Sequence, residues 1–115
     1  MAETQKQRQE KLNKEEKILN LMQFARKAGK LIGGSDACIR ELHHKHIHLF
    51  VIASDTAPRT VSRIEYELGE KKSKIMILRF GTQEELSAAL GLPLTAVFGI
   101  SDKNFAVKMI EYWQS

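Results

Sequence analysis

One segment of the chain combines the residue types that a phosphate-bearing partner requires, in the order basic, glycine-rich and polar. It reads Arg26-Lys27-Ala28-Gly29-Lys30-Leu31-Ile32-Gly33-Gly34-Ser35-Asp36. A glycine-rich turn that leads into a helix leaves backbone N–H groups without partners and lets another backbone come close. The three cations beside the turn supply positive charge for a phosphate. The segment therefore predicts a phosphate-binding turn, whose ligand is either a nucleotide or an RNA.

The glycine pair Gly33-Gly34 allows two other interpretations. Nucleotide sites commonly use a G-x-x-x-x-G-K-[ST] loop, or G-x-G-x-x-G after a long strand, and the chain contains neither motif. Nucleotide binding therefore has little support. A purely geometric role, in which the glycines form a tight turn between a short strand and a helix, stays open.

Four histidines form a second cluster of possible ligands: His43, His44, His46 and His48. The i, i+4 spacing of His44 and His48 would suit zinc on a helix, but we expect the chain to pass from a helix to a strand there. No further cysteine or carboxylate cluster completes a ligand set. We interpret the segment as a polar connection, and the sequence predicts neither a metal nor a cofactor.

Cys38 and Asp55 are the remaining residues that could do chemistry. A cysteine near a helix N-terminus can be a nucleophile, but Cys38 lies on the inward stripe of its helix and is predicted to be a small buried hydrophobe. Asp55 follows a buried strand without a recognisable base or nucleophile as partner. We expect Asp55 or Thr56 to stabilise the turn before Pro58 by bonding nearby N–H groups. These residues do not predict an enzyme.

The composition is typical of a single basic domain. With 115 residues, 43% of them hydrophobic, the chain can form one compact core, and its formal net charge of +4 favours an acidic partner such as a nucleic acid. The single cysteine excludes a disulfide within the chain and indicates a reducing compartment. No apolar run approaches the ~18 residues of a membrane span, and the N-terminus lacks the apolar core of a signal peptide. We expect a cytoplasmic protein that does not enter membranes.

The chain divides into a short polar segment and one domain. Residues 1–14 form a basic and polar N-terminal tail, either frayed or an exposed extension of the next helix, and residues 15–115 form the domain. The first helix of the domain has apolar residues at helical spacing and ends near Gly29. Its inward stripe consists of Ile18, Leu21, Met22, Ala25 and Ala28.

Strands and helices are expected to alternate after that helix. A short extended piece is predicted at 30–32. Longer apolar strands are predicted at 48–53, 75–80 and 96–100, where apolar residues run continuously or nearly so. Ser35 or Asp36 is expected to cap the second helix, Thr82 the fourth and Asp102 the last, while Gly91 ends the fourth. This alternation predicts an α/β fold with helices layered over a parallel or mixed sheet, in which ligands collect where loops leave the strand ends.

Four segments in this order resemble one known family: ARKAGKLIGGSDACIREL, LFVIASDTAP, TQEELSAALGLP and AVFGISDKNFA. The chain is similar, over residues 15–113, to the ribosomal protein seven-Ae/thirty-e family of kink-turn RNA-binding proteins, and most similar to its small bacterial branch of YlxQ-type ribosomal-protein-like proteins. The resemblance implies a three-layer α/β/α sandwich with a mixed sheet of about four strands. It also implies RNA binding at the glycine turn, at the start of the following helix and at two loops beside them.

Carried over residue by residue, the resemblance implies a set of RNA-binding positions. These are Lys30, Gly33, Gly34, Ser35, Asp36 and Arg40 around the turn, Ser54 and Asp55 in the second loop, and Leu92, Pro93, Leu94 and Thr95 in the third. From their charge and position, Arg26 and Lys27 are expected to join them as phosphate contacts. A kink-turn is a sharp bend in an RNA duplex beside tandem sheared G·A pairs, and it exposes guanine edges. Asp36 would accept hydrogen bonds from guanine N–H groups, the cations would meet phosphates, and the third loop would support a flipped-out base.

The chain departs from the family at one position pair. The best-known kink-turn binders carry Asn-Glu where this chain carries Ser35-Asp36, so the donor set is smaller and the carboxylate reaches less far. The expected partner is a structured ribosomal or regulatory RNA, bound by a monomer in association with the ribosome. The alternative is a protein-interaction or ribosome-assembly module with the same fold and only non-specific RNA affinity.

Overall fold

Five helices and four strands alternate along residues 4–115, the part of the chain that the computed structural model describes. The helices are α1 (Gln5–Lys27), α2 (Ser35–His43), α3 (Pro58–Glu70), α4 (Gln83–Leu90) and α5 (Lys103–Gln114). The strands are β1 (Leu31–Gly33), β2 (Leu49–Ile52), β3 (Ile77–Arg79) and β4 (Val97–Ile100). The predicted order of elements is confirmed. Strand β1 is displaced by one residue from its predicted range, and the other three strands are one to three residues shorter than predicted.

Helix α1 begins well before the predicted domain boundary. Thr4 caps it, since the Thr4 side chain accepts a hydrogen bond from the Gln7 backbone N–H and the Gln7 side chain accepts one from the Thr4 N–H. Residues 5–14 are therefore a largely exposed helical extension, the second of the two expected states. Residues 1–3 lie outside the described part. Gly29, with φ +73°, follows the helix end as predicted.

The four strands form one mixed sheet in the order β1-β4-β2-β3. Strand β4 is antiparallel to both β1 and β2, whereas β2 and β3 are parallel. Every residue of the two central strands is buried, because helices cover both faces of the sheet. The predicted fold class, a three-layer α/β/α sandwich with a four-stranded mixed sheet, is confirmed.

Alternation along the central strands divides the core into two parts. Leu49 and Val51 of β2 pack under α1, α4 and α5, while Phe50 and Ile52 pack under α2 and α3, because successive strand residues face opposite sides. The stripe of α1 enters the first part with Ile18, Met22 and Ala25 buried. Among residues 4–115, no helix has the length and apolar character needed to cross a membrane.

Strand direction brings four connections to the same edge of the sheet. The backbone N–H of Gly34 donates to the Val97 carbonyl at 2.8 Å, that of Ala53 donates to the Ala96 carbonyl at 3.0 Å, and that of Ser54 donates to the Gly81 carbonyl at 2.9 Å. We call residues 33–36, 53–58, 80–83 and 91–96 the loop edge. Helices α2, α3 and α4 all begin there.

Candidate nucleic-acid interface

The glycine turn at the loop edge differs from the prediction in its cap. Gly34 occupies the N-cap position of α2 with φ 99° and ψ 142°, and Ser35 and Asp36 are already the first two helical residues. The expectation that Ser35 or Asp36 caps α2 is wrong, because the chain needs a positive φ at the cap, which glycine adopts most readily. Gly34 has no side chain to accept a hydrogen bond, so the first N–H groups of α2 have no side-chain cap.

Asp36 presents a carboxylate at the start of α2. Its side chain is 81% exposed, and Oδ1 accepts a hydrogen bond of 2.7 Å from Nη1 of Arg63 on α3. Both members of this ion pair are solvent-exposed, so their attraction is screened and weak. The carboxylate therefore has a partner within the protein but stays accessible to a ligand.

Ser35 and Arg40 lie beside Asp36 on the same helix. The hydroxyl of Ser35 has no hydrogen-bond partner within residues 4–115. Arg40 lies one turn after Asp36, is exposed, and forms no ion pair within the described residues. Both side chains are thus available to a ligand at this surface.

The structure separates the three cations that precede the turn. Nη2 of Arg26 lies 3.4 Å from the Gly91 carbonyl oxygen, so Arg26 stands beside the third loop. Lys27 is exposed, with Nζ 6.0 Å from the centroid of the Phe24 ring. Lys30 lies at the other end of β1, since its carbonyl accepts a 2.9 Å hydrogen bond from the N–H of Ser101, beyond the end of β4. The backbone of Lys30 is therefore not part of the loop edge.

The third loop, Leu92 to Thr95, packs against the glycine turn. A Cβ atom on Gly33 would lie 3.7 Å from Cγ2 of Thr95 and 3.8 Å from Cδ1 of Leu92. The Ser87 hydroxyl fixes the loop by accepting from the Thr95 N–H at 2.8 Å and donating to the Thr95 carbonyl at 3.2 Å. Leu94 remains 71% exposed and offers an apolar surface beside the turn.

Asp55 in the second loop has a structural partner of its own. Its Oδ1 accepts a 2.9 Å hydrogen bond from the N–H of Gln83, the first residue of α4. A stabilising role was expected, but the partner lies in the neighbouring connection rather than in the same turn. Thr56 does stabilise its own turn, because its hydroxyl donates to the Ala53 carbonyl at 2.6 Å. Ser54 is exposed.

Sequence reasoning missed three arginines near the site. Arg59 lies in the first turn of α3, Arg63 contacts Asp36, and Nη2 of Arg79, at the end of β3, donates to the Ser54 carbonyl at 3.2 Å. With Arg26 and Arg40, five of the six arginines of the chain stand at or next to the loop edge. Single arginines in separate segments do not form a sequence motif. Their proximity could have been predicted only from the expectation that the strand ends lie at one edge of the sheet.

Two of the four histidines and Cys38 have hydrogen-bond partners within the protein. His43 is hydrogen-bonded to Glu67 at 3.0 Å and His46 to Glu41 at 2.9 Å. Within residues 4–115, no group of three histidine, cysteine or acidic side chains is placed to hold a metal. Burial raises the pKa of the Cys38 thiol to about 12, as expected for an inward-facing hydrophobe, and the thiol is 3.5 Å from the Ile32 carbonyl.

Comparisons with known proteins agree with this architecture. The sequence model of the ribosomal protein L7Ae/L30e/S12e/Gadd45 family matches residues 16–110. The chain is 29% identical over 98 residues to the RNA-binding protein YlxQ of Enterococcus faecium, covering 84% of this chain and 90% of that protein.

Two solved structures share the fold. A protein of unknown function from Bacillus halodurans has a TM-score of 0.78 at 22% identity, covering 86% of this chain and 98% of the other. The 15.5kD RNA binding protein of Giardia lamblia has a TM-score of 0.72 at 17% identity, covering 86% of each chain.

Proposed function

Because the chain belongs to the ribosomal protein L7Ae/L30e/S12e/Gadd45 family, we propose that it is an RNA-binding protein whose loop edge recognises a kink-turn or a similarly bent RNA. The single observation that carries this proposal is the exposed Asp36 carboxylate at the start of α2, beside a glycine backbone that an RNA can approach closely. The related YlxQ protein is itself named as an RNA-binding protein, which supports the same chemistry.

Base recognition in this proposal rests on Asp36 and Ser35. A carboxylate accepts hydrogen bonds from the N–H groups of a guanine edge, and a hydroxyl either donates or accepts at the neighbouring base. Arg63 already donates to Asp36, but an exposed ion pair contributes only about 0 to 1 kcal/mol, so a base can replace it at small cost.

Phosphate contacts come from the cations and from the uncapped N-terminus of α2. Arg26, Lys27 and Arg40 are exposed around the turn, and the free N–H groups of the helix carry partial positive charge. Lys30 contacts RNA only through the reach of its long side chain, since its backbone lies at the opposite end of β1.

Apolar contact is assigned to the third loop. Leu94 is exposed and the loop around it is held by Ser87 and Thr95, so its surface is already in position before a ligand arrives. A base flipped out of the bent duplex would lie against Leu94, with Leu92 and Pro93 beside it. In the second loop, Ser54 is free to contact the RNA backbone, whereas Asp55 keeps its bond to Gln83.

The proposal also covers the oligomeric state of the protein, its location and the class of RNA that it binds. We expect a monomer that acts in the cytoplasm without catalysing a reaction, on a ribosomal RNA or on a regulatory RNA with a kink-turn. The alternative is a protein-interaction or assembly module whose basic surface binds any RNA weakly. The modest formal net charge of +4 favours that alternative, since it gives only a weak general attraction for RNA.

A binding titration at two salt concentrations separates the two functions. One RNA is a short stem with a kink-turn, and the other is the same stem with its G·A pairs changed to Watson–Crick pairs. We expect tight binding to the first RNA alone. Weak, equal and strongly salt-dependent binding to both would contradict recognition of the bend and favour the alternative.

A further inference from the structure

The outward face of helix α3 carries a stripe that the proposed site does not include. Arg59, Arg63 and Tyr66 follow one another at i, i+4 and i+7, on the side of the helix opposite the buried residues Val61 and Ile64. Tyr66 is 65% exposed and the side chain of Arg63 is 50% exposed. An exposed aromatic residue that follows two exposed arginines is not required for packing the core.

The stripe begins at the loop edge and leads away from it. Helix α3 starts at Pro58, so Arg59 lies in its first turn, next to the second loop. From Arg59 to Tyr66 the stripe extends about 10 Å along the helix axis. Arg63 joins it to the proposed base-recognising residue through the 2.7 Å bond to Asp36.

Charge along the stripe is positive where it meets the proposed site. The carboxylates of α3 itself lie in its second half: Glu65 directly precedes Tyr66, Glu67 is hydrogen-bonded to His43 at 3.0 Å, and Glu70 lies at the far end of the helix. Within residues 4–115, Arg59 forms no ion pair, and Arg63 pairs only with Asp36. Guanidinium groups bind phosphates through paired N–H donors, and Tyr66 can stack on a base or a ribose.

We propose that this α3 stripe binds one of the two duplex arms that flank the bend, with Arg59 and Arg63 on phosphates and Tyr66 against a ribose or a base. The inference rests on the proposed function, which places the bend at the loop edge. Arg63 then has two successive partners, since it leaves Asp36 for a phosphate when the carboxylate takes up a guanine edge. The stripe contributes affinity that depends on arm length, and the glycine turn contributes preference for the bend.

Arm length is the variable that tests the stripe. Binding is measured for the full chain on a kink-turn RNA with two short arms, and on two versions in which one arm or the other is extended by about one helical turn. We expect one extension to steepen the salt dependence by about two phosphate contacts. For that RNA, affinity then falls about tenfold more between about 50 mM and about 200 mM salt than for the short-arm RNA.

Variants assign the added contacts to α3. Arg59→Gln leaves Asp36 and its partner untouched and should remove about half of the added salt dependence, and Arg59→Gln with Arg63→Gln should remove nearly all of it. Tyr66→Ala should weaken binding of the long-arm RNA without changing its salt dependence. Arg8→Gln is the matched control, because Arg8 is the one arginine away from the loop edge and is exposed on α1.

The outcomes separate the stripe from the proposed function. If neither arm extension changes binding while the preference for the bend persists, the stripe does not bind RNA and the function stands. If Arg8→Gln and Arg59→Gln change the salt dependence of binding equally, the proposal that the stripe binds RNA is likewise overturned. If the wild-type chain shows no preference for the bent RNA over its Watson–Crick version, the proposed function fails. There is then no bend at the loop edge to place a duplex arm on the α3 stripe.

Discussion

The guanidinium Nη1 of Arg63 donates a hydrogen bond to Oδ1 of Asp36 across 2.7 Å, which joins the first turn of α2 to the middle of α3. The two residues are 27 positions apart in the chain. The bond connects the carboxylate assigned to base recognition with an arginine that no sequence motif indicated. Asp36 nevertheless stays 81% exposed at the loop edge.

Breaking this ion pair should hardly affect folding. Both side chains are exposed, so Arg63→Ala is expected to change the free energy of unfolding by less than about 1 kcal/mol, as measured by urea denaturation. Asp36→Ala should behave similarly, apart from a small loss of favourable charge at the helix N-terminus. A loss of more than about 3 kcal/mol in either variant would mean that the pair is part of the core structure.

Asp36 and Lys27 should affect RNA binding in different ways. Asp36→Ala is expected to weaken binding of the kink-turn stem by about 1 to 3 kcal/mol and to leave the Watson–Crick stem unaffected, because it removes a base contact. Lys27→Ala should weaken both complexes and lower the salt slope by about one, because it removes a phosphate contact. Titration of both stems with both variants checks this difference, and identical effects on every RNA would contradict base recognition by Asp36.

Gly34 and Gly33 should respond differently to alanine. Gly34→Ala is expected to destabilise the fold by about 1 to 3 kcal/mol, because φ +99° strains any residue with a Cβ although the space around it is open. Gly33→Ala should fold normally, since the new Cβ would make only ordinary contacts of 3.7 and 3.8 Å and the residue has no positive φ. If an RNA backbone approaches the turn at Gly33, as proposed, the added methyl group should lower RNA affinity.

Thermal melts and RNA titrations of both glycine variants test this pair. The thermal midpoint should drop for the Gly34 variant and stay near the wild-type value for the Gly33 variant. A Gly33→Ala protein that is stable and binds RNA with full affinity would show that close approach at this turn is not needed.

Leu94 should matter for RNA and not for stability. Its side chain is 71% exposed, so Leu94→Ser is expected to change the free energy of unfolding by less than about 0.5 kcal/mol. Loss of apolar contact with a flipped-out base should weaken kink-turn binding by about 1 to 2 kcal/mol. Leu12→Ser on α1 is the matched control, since Leu12 is 53% exposed at a distance from the loop edge. Equal RNA affinity of the two variants would argue against a base at Leu94.

Cys38 should be unreactive in the folded protein. Burial raises its pKa from 9.0 to about 12, so the thiol stays protonated at neutral pH and a thiol reagent at pH 8 should label it only after urea is added. Because the folded pKa lies above the unfolded one, this thiol's contribution to stability is complete below pH 9 and is lost as the pH rises toward 12. Rapid labelling of the native protein would contradict the buried position.

The sequence by itself determined the order of elements and several helix ends, including the caps Thr82 and Asp102 and the stop at Gly91. Continuous apolar runs marked the central strands, and local signals marked the ends of helices, such as Asp102, whose side chain accepts from the Phe105 N–H at 2.9 Å. Such signals act within a few residues, so they can be read from the chain. The cap of α2 was predicted wrongly, because the requirement for a positive φ at Gly34 outweighed the capping tendency of Ser35 and Asp36.

Only the tertiary structure decided which residues share the loop edge. The antiparallel pairing of β4 with β1 and β2 places the third loop beside Gly33 and moves the backbone of Lys30 to the opposite edge. The same packing brings Arg63 to Asp36, although neither segment contains a sequence signal that predicts this contact. Contacts between distant segments follow from strand direction and helix packing, which depend on the whole core rather than on local spacing.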